Sequence, residues 1–205
     1  MNTKRIIQIC ICFLLSFTLV GCLHTKEDVT AVVDDYYQLL GAGDIEKANK
    51  KYATKSFGFN SESLDAFQKK MNDIDMSEQV DLFTKHVVSR IYEKYEIVSV
   101  DAWGADATVK VDVTGILPEN LNDLDALASE KMEALLDAYI QDHQAQLTPL
   151  IMKDEEKATQ KIFEDLSQPI FDMYIQLIDE MEVHTSTLEL KLKKNENGWK
   201  IVQLN

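Results

Sequence analysis

Apolar residues recur along the chain with two different periods, and the changes of period separate helical stretches from extended ones. Between residues 25 and 91 the apolar positions lie three or four residues apart, as on one face of an α-helix. Gly41 and Gly43 are expected to end the first helix, because glycine readily takes the left-handed conformation that closes a helix. Four helices are predicted in this stretch. The first begins near Thr25, the second at the N-cap Asp44, the third at Ser61 or Ser63, and the fourth at the N-cap Ser77.

The period changes to two at Tyr95, which predicts β-strands. Strict alternation of apolar and polar residues then indicates a half-buried strand, joined to the one before it by a turn at 103–106. The same period returns near Ser186, and a second turn at 195–198 leads into a last strand over 199–204. The apolar members of the first alternation are Ala107, Val109, Val111 and Val113.

Residues 118–182 separate these two hairpins and carry a helical period throughout. Pro149 is expected in the first turn of a new helix, and Pro169 either kinks that helix or begins another behind Ser167. Helices and strands thus occur in separate runs, which predicts an α+β fold with an antiparallel sheet. The chain shows no internal repeat and no low-complexity linker, so residues 28–205 are expected to form a single domain.

The N-terminal stretch has the layout of a secretory signal. Lys4 and Arg5 are followed by an almost entirely apolar run over 6–20, which is shorter than the roughly 20 residues that a permanent membrane span needs. Cys10 and Cys12 would leave with this signal. The exported chain would then have no disulfide, no cysteine-ligated metal and no catalytic thiol.

The end of the signal, Leu19-Val20-Gly21-Cys22, resembles the lipobox of bacterial lipoproteins. That resemblance implies cleavage between Gly21 and Cys22, a diacylglycerol on the Cys22 thiol and an acyl chain such as palmitate on the new N-terminus. Residues 1–21 would be the signal and 22–27 a short lipidated tether. The protein would lie on the outer face of the cell membrane, held there by two or three acyl chains. An uncleaved anchor or a signal without lipid is the alternative.

The order of elements is similar to that of the cystatin-like and nuclear transport factor 2-like domains. The resemblance lies in residues 29–48 and in the closing Asn197-Gly198-Trp199-Lys200-Ile201-Val202. It implies a curved antiparallel sheet, an N-terminal helix in its concavity, and 118–182 as a helical insertion between the two hairpins. Lipoproteins of Gram-positive bacteria often combine a lipobox, a tether and one such domain of unassigned function. The curved sheet and the helix in its concavity together form a cone. The insertion leaves open whether the interior of this cone is empty or filled by side chains.

In that family the cone can enclose a ligand pocket, and some members are isomerases or dehydratases. The aromatic residues that would line a pocket here are Tyr36, Tyr37, Tyr52, Phe57, Trp103 and Trp199. Their helical or strand spacing equally suits packing in a core. An enzyme would need a buried carboxylate as well, and the strand-region residues to inspect are Asp101, Asp106 and Asp112. Asp112 alternates with the valines and is expected to face solvent.

Histidine spacing predicts no metal site. His24, His86, His143 and His184 are scattered, and none forms the paired spacing of a zinc or di-iron helix. No catalytic signature appears either, so the chain is expected to be neither an enzyme nor a cofactor-binding protein.

The charge is negative and unevenly distributed. A formal net charge of −14 argues against a nucleic-acid partner, because phosphate binding needs a basic face. Residues 118–182 hold sixteen Asp or Glu against four Lys. They form either a solvated face that is repelled by anionic lipid, or a surface that docks a basic protein partner or cations.

These patterns predict a non-enzymatic binding or interaction module at the outer face of the membrane. A carrier of a small apolar ligand is one alternative, and an isomerase- or hydrolase-type enzyme is another. The ligand, the partner and the oligomeric state do not follow from the sequence.

Overall fold

The computed structural model of the protein describes residues 25–57 and 77–205. The predicted signal, the predicted cleavage site at Gly21, the predicted lipidation site Cys22, His24 and the helix predicted to begin at Ser61 or Ser63 lie outside the described residues. The described chain divides into two compact units. The first unit contains 25–57, 92–115 and 184–205, and the second contains 77–91 and 116–183.

The first unit combines two helices with a four-stranded sheet. Helix α1 covers residues 25–41, so it already includes residues assigned to the tether from sequence, and α2 covers Ile45–Tyr52. Gly43 follows α1 with a φ of 79°, which confirms the predicted stop. Asp44 precedes α2 as predicted, but its side chain makes no capping hydrogen bond.

The sheet contains both predicted hairpins in the strand order β1-β2-β3-β4. The strands are β1 (Lys94–Trp103), β2 (Asp106–Ile116), β3 (Val183–Asn195) and β4 (Gly198–Leu204). Each hairpin is antiparallel. Between them, the Thr114 and Thr185 hydroxyls lie 2.8 Å apart, and Thr187 donates to Asp112 over 2.5 Å, which sets β2 antiparallel to β3. The α+β class with an antiparallel sheet is therefore confirmed.

The alternation predicted for β2 determines which face of the sheet is buried. Val109 and Val111 are fully buried, whereas Lys110 between them is exposed. Helix α1 contacts β1 through Tyr37, whose ring stacks on Tyr95 with the ring centroids 5.2 Å apart. Apolar side chains of the helix and of the sheet thus meet in one core, as the sequence pattern requires.

The outer edge of β4 is covered by the chain that follows α2. Ala53 forms a parallel bridge with Ile201, and the Thr54 amide donates to the Ile201 carbonyl over 2.9 Å. The Lys200 ammonium also donates to the Lys51 carbonyl. An unpaired sheet edge is thereby occupied by the protein's own backbone.

The second unit is mainly helical in its described part. Helix α3 (Ser77–Ile91) packs on the last of two long helices, α4 (Leu124–Lys153) and α5 (Glu155–Glu180). A 3₁₀ turn at Pro118–Asp123 leads into α4. Among the described residues, no helix has both the length and the apolar character that crossing a membrane demands.

Both internal prolines lie inside helices. The prediction for Pro149 was wrong, because α4 continues past it to Lys153 and no new helix begins there. Pro169 lies within α5, and the Ser167 hydroxyl donates to the Glu164 carbonyl inside that helix instead of capping a new one. Packing explains this tolerance: Leu147 and Ile170, close to the two prolines, are buried, and their burial offsets the lost backbone hydrogen bonds.

Helix α3 packs on α5 through aromatic contacts of Phe83 and through charged contacts with Asp179. The Phe83 ring lies 6.4 Å from Phe171, between centroids. His86 Nε2 lies 2.9 Å from the Asp179 carboxylate, and Arg90 Nε lies 3.4 Å from the same oxygen. The predicted apolar face of this helix is confirmed, since Val80, Phe83, Val87 and Ile91 are all buried.

Candidate functional site

The six aromatic residues considered for a pocket do not share one environment. Trp103 lies at the end of β1 with 83% of its surface exposed, so it does not line an interior. The remaining five are buried. Tyr36 and Tyr37 belong to α1, and Tyr52 ends α2. Phe57 follows α2, and Trp199 lies on β4.

Two adjacent carboxylates of α1 accept hydrogen bonds from two tyrosines of the first unit. Asp34 accepts from the Tyr95 hydroxyl over 2.5 Å, and Asp35 accepts from the Tyr52 hydroxyl. Burial and the bond to Asp34 raise the pKa of Tyr95 to about 12. Burial, followed by the bond to Asp35, also raises the pKa of Tyr52. These pairs attach α1 to β1 on one side and to α2 on the other.

Asn49 is a buried polar residue at the centre of a second set of bonds. Its amide oxygen accepts from the Phe57 amide over 3.1 Å and from the Tyr36 hydroxyl over 3.3 Å. Its amide nitrogen donates to the Phe57 carbonyl over 2.5 Å and to the Ser56 hydroxyl over 3.4 Å. Sequence reasoning missed this residue. The sequence feature that could have identified it is a polar residue four positions after Ile45, on the apolar face of α2.

Two buried donors of the first unit lack a protein partner among the described residues. They are the Tyr37 hydroxyl and the Trp199 indole nitrogen, in side chains that are 1% and 4% exposed. Burial is also the main cause that raises the pKa of Tyr37, followed by the nearby Tyr92 and Tyr36. A buried donor without an acceptor lowers stability, so each is a point where a small polar acceptor could bind.

We expect Tyr37→Phe to raise the free energy of unfolding by about 1 kcal/mol, because it removes a desolvated hydroxyl without breaking a hydrogen bond in the described structure. Tyr36→Phe is the matched control. It should lower the same free energy by about 1 kcal/mol, because it breaks the bond to Asn49. Urea unfolding of the two variants measures both. Destabilisation by Tyr37→Phe would contradict this view and reveal an acceptor on its hydroxyl.

The second unit carries an open groove of about 980 Å³ along the first half of α5. Phe163 lies in it with 50% of its surface exposed. Three carboxylates flank this ring, those of Glu155, Glu156 and Glu164, and the described lining contains neither lysine nor arginine. The remaining described lining residues are Gln79, Thr159, Gln160 and Ser167. The groove therefore offers an aromatic contact within a negative rim.

A polar cluster joins α4 to α5 elsewhere in this unit. The Tyr139 hydroxyl and the Lys161 ammonium lie 2.5 Å and 2.8 Å from the same oxygen of Asp165. These two bonds, from Lys161 first and Tyr139 second, lower the pKa of the Asp165 carboxyl. The His143 ring stacks on Tyr139 at 4.3 Å between centroids. Each charged group here already has a protein partner, so the cluster connects the helices.

The strand-region carboxylates do not meet in a cavity. Asp106 lies 3.6 Å from Lys193, Asp101 is exposed, and Asp112 faces away from the valines as expected. In the parts of the chain that the structure describes, no three His, Cys, Asp or Glu side chains are placed to hold a metal ion. A second, shallower groove of about 360 Å³ lies beside Asn49 and Lys50.

The sites predicted from sequence therefore divide between the two units. The aromatic residues pack in the first unit, and the acidic segment contributes the larger groove in the second. Comparisons with models of protein families, with curated proteins and with solved structures find no match to this chain.

Proposed function

We propose that this chain is a lipid-anchored lipoprotein of the outer face of the bacterial cell membrane, and that it acts there as a non-enzymatic binding module. The membrane part of the proposal rests on the lipobox that ends in Cys22. The binding part rests on one structural observation, the groove along α5 with its half-exposed Phe163. An aromatic side chain in a concave surface is a common anchor for a partner.

The finer fold assignment belongs to the same proposal. A cystatin-like arrangement requires a curved sheet, and a register shift in each hairpin supports curvature: one at Ile97/Ser99 and one at Lys191/Leu192. The stacking of Tyr37 on Tyr95 supports an N-terminal helix packed on that sheet.

The anchor is tested by Cys22→Ala in the full chain. We expect this variant to lose labelling by a radioactive fatty acid and to be released from the membrane or to keep its signal. Ser61→Ala, another small change in the N-terminal part, is the control and should label normally. Membrane retention of the variant with its signal removed would contradict the anchor.

The binding surface is tested in intact cells. A photo-crosslinking amino acid at position 163 should capture a neighbouring molecule. The same amino acid at position 127, where Leu127 has the same 50% exposure, should not give that adduct. Equal adducts from both positions, or none from either, would contradict a binding surface in the groove.

A carrier of a small ligand is the second candidate function. It is favoured by the buried donors of Tyr37 and Trp199, which have no hydrogen-bond partner among the residues that the structure describes. Native mass spectrometry of the protein extracted from its own membrane tests it, because a bound small molecule would add its mass to that of the acylated chain.

A further inference from the structure

The apolar face of α5 continues beyond the part that α3 covers. Ile170, Tyr174 and Leu177 lie on this face and are buried, and the Phe83 ring of α3 lies 6.0 Å from the Tyr174 ring, between centroids. Phe163 lies two helical turns before Ile170 on the same face, yet it is half-exposed. The groove is thus the continuation of a helix-binding surface.

The dimensions of the groove suit another helix. Its lining residues run along α5 from Glu155 to Ser167, which corresponds to about 18 Å of helix axis. That length equals roughly three turns of a bound helix, enough for two or three anchor residues.

Helix α3 shows a combination of side chains that α5 binds elsewhere along its length. It places the apolar Phe83 against the apolar face and adds two basic side chains, His86 and Arg90, on the Asp179 carboxylate. The groove repeats this combination, with Phe163 in place of the buried residues and carboxylates along the rim. A helix with one apolar face and one basic face could contact both Phe163 and the carboxylates of the rim.

We infer that the groove binds a cationic amphipathic helical peptide, with an apolar side chain on Phe163 and lysine or arginine side chains at Glu155, Glu156 and Glu164. This inference rests on the proposed function, since it names the partner of the same surface. Binding a helix in a groove is a recurrent mode of peptide recognition. The acidic rim adds attraction at long range and selects basic partners over acidic ones.

Charge complementarity favours this occupant over the other three that could cover the groove. Residues 58–76 of the same chain hold four Asp or Glu and two Lys, so this segment is itself acidic. A second copy of the chain carries a net charge of −14, and a membrane surface rich in anionic lipid is also negative. All three therefore carry a net charge of the same sign as the rim, whereas a basic helix carries the opposite sign.

The experiment uses the full chain in zwitterionic lipid nanodiscs, with empty nanodiscs as the blank. The probe is a labelled lysine–leucine peptide of about 14 residues, designed as an amphipathic helix. A glutamate–leucine version tests the sign of the charge, and a scrambled lysine–leucine version tests the need for an apolar face. We expect binding of the first peptide only, weaker at about 0.5 M salt than at about 0.1 M.

Two variants, each with a matched control, test whether the peptide binds in the groove. Glu155→Gln/Glu156→Gln/Glu164→Gln should raise the Kd of the lysine–leucine peptide by about tenfold, which corresponds to about 1.4 kcal/mol for the three exposed charge pairs together. Its matched control, Glu130→Gln/Glu133→Gln/Asp137→Asn on α4, removes the same charge from exposed positions outside the groove and should change the Kd by less than about twofold. Phe163→Ser should weaken binding, and Leu127→Ser, at an equally exposed leucine, should not. Circular dichroism confirms that each variant folds.

Three outcomes would overturn the inference: no binding of the lysine–leucine peptide, equal binding of the scrambled peptide, or equal effects of the groove and control triple variants. A crosslink from position 163 to residues 58–76 or to a second copy would assign the groove to that occupant and would overturn it as well. If the peptide fails but position 163 captures a neighbour in cells, the proposed function stands and only the basic-helix chemistry is lost. If both fail, the inference and the binding part of the proposed function both fall.

Discussion

Replacing Asn49 with leucine is expected to lower the free energy of unfolding by about 3 kcal/mol. Leucine has the same number and branching of side-chain heavy atoms as asparagine, so the loss comes from hydrogen bonds and not from a cavity. The Phe57 amide and carbonyl and the Tyr36 hydroxyl would lose their partner in a buried site, and each buried polar group left unsatisfied costs about 1 to 3 kcal/mol. Some of these groups will regain water, which keeps the expected total near the lower end of their sum.

The effect should be both local and global. The segment that Asn49 holds also pairs with β4 through Ala53 and Thr54, so its release uncovers the sheet edge at Ile201. Urea unfolding followed by circular dichroism measures the global part, and hydrogen exchange of the Thr54 and Phe57 amides measures the local part. Lys50→Leu, at the exposed neighbouring position, is the control and should change stability by less than about 0.5 kcal/mol. A change equally small for Asn49→Leu would show that the bonds of Asn49 contribute little.

The sequence was sufficient to predict the helices and strands that bury a single apolar face. The alternation of Val109 and Val111 with Lys110 identified β2 and its buried face, because burial on one side of a strand fixes a period of two. The helical spacing of Val80, Phe83 and Val87 identified α3 in the same way. In both, a local pattern and the tertiary packing agree.

The sequence was insufficient where tertiary packing decides between local options. Pro149 disfavours a helix interior, yet α4 continues through it to Lys153, and Leu147 just before the proline is buried. Trp103 was a predicted candidate to line a pocket, but its place at a hairpin tip exposes it. No local sequence pattern shows which way the side chain of a turn residue points. The groove at Phe163 depends on where α3 begins relative to α5, which is a long-range property.

All seven tyrosines of the chain have raised pKa values, so the folded protein should resist ionisation of tyrosine and then unfold cooperatively in alkali. Burial is the main cause for six of them, and for Tyr139 the bond to Asp165 comes first. A group with a raised pKa keeps its proton in the folded state above the pH at which the unfolded chain has lost it. Its contribution to stability is therefore complete below about pH 10 and is lost as the pH rises through the folded pKa. For Tyr95 this window extends from 10.0 to about 12.

Ultraviolet absorbance of tyrosinate and circular dichroism, followed together during an alkaline titration, test this expectation. In the folded protein little tyrosinate should form near pH 10, and both signals should then change in one step between about pH 10 and about pH 12. In concentrated guanidinium chloride the tyrosines should titrate near pH 10 instead, which is the reference for the unfolded chain. Tyr37→Phe removes a group whose ionisation burial opposes, so it should move the alkaline step to higher pH. Tyrosinate that forms near pH 10 without any loss of circular dichroism would show that tyrosines reach solvent in the folded state, and would contradict the expectation.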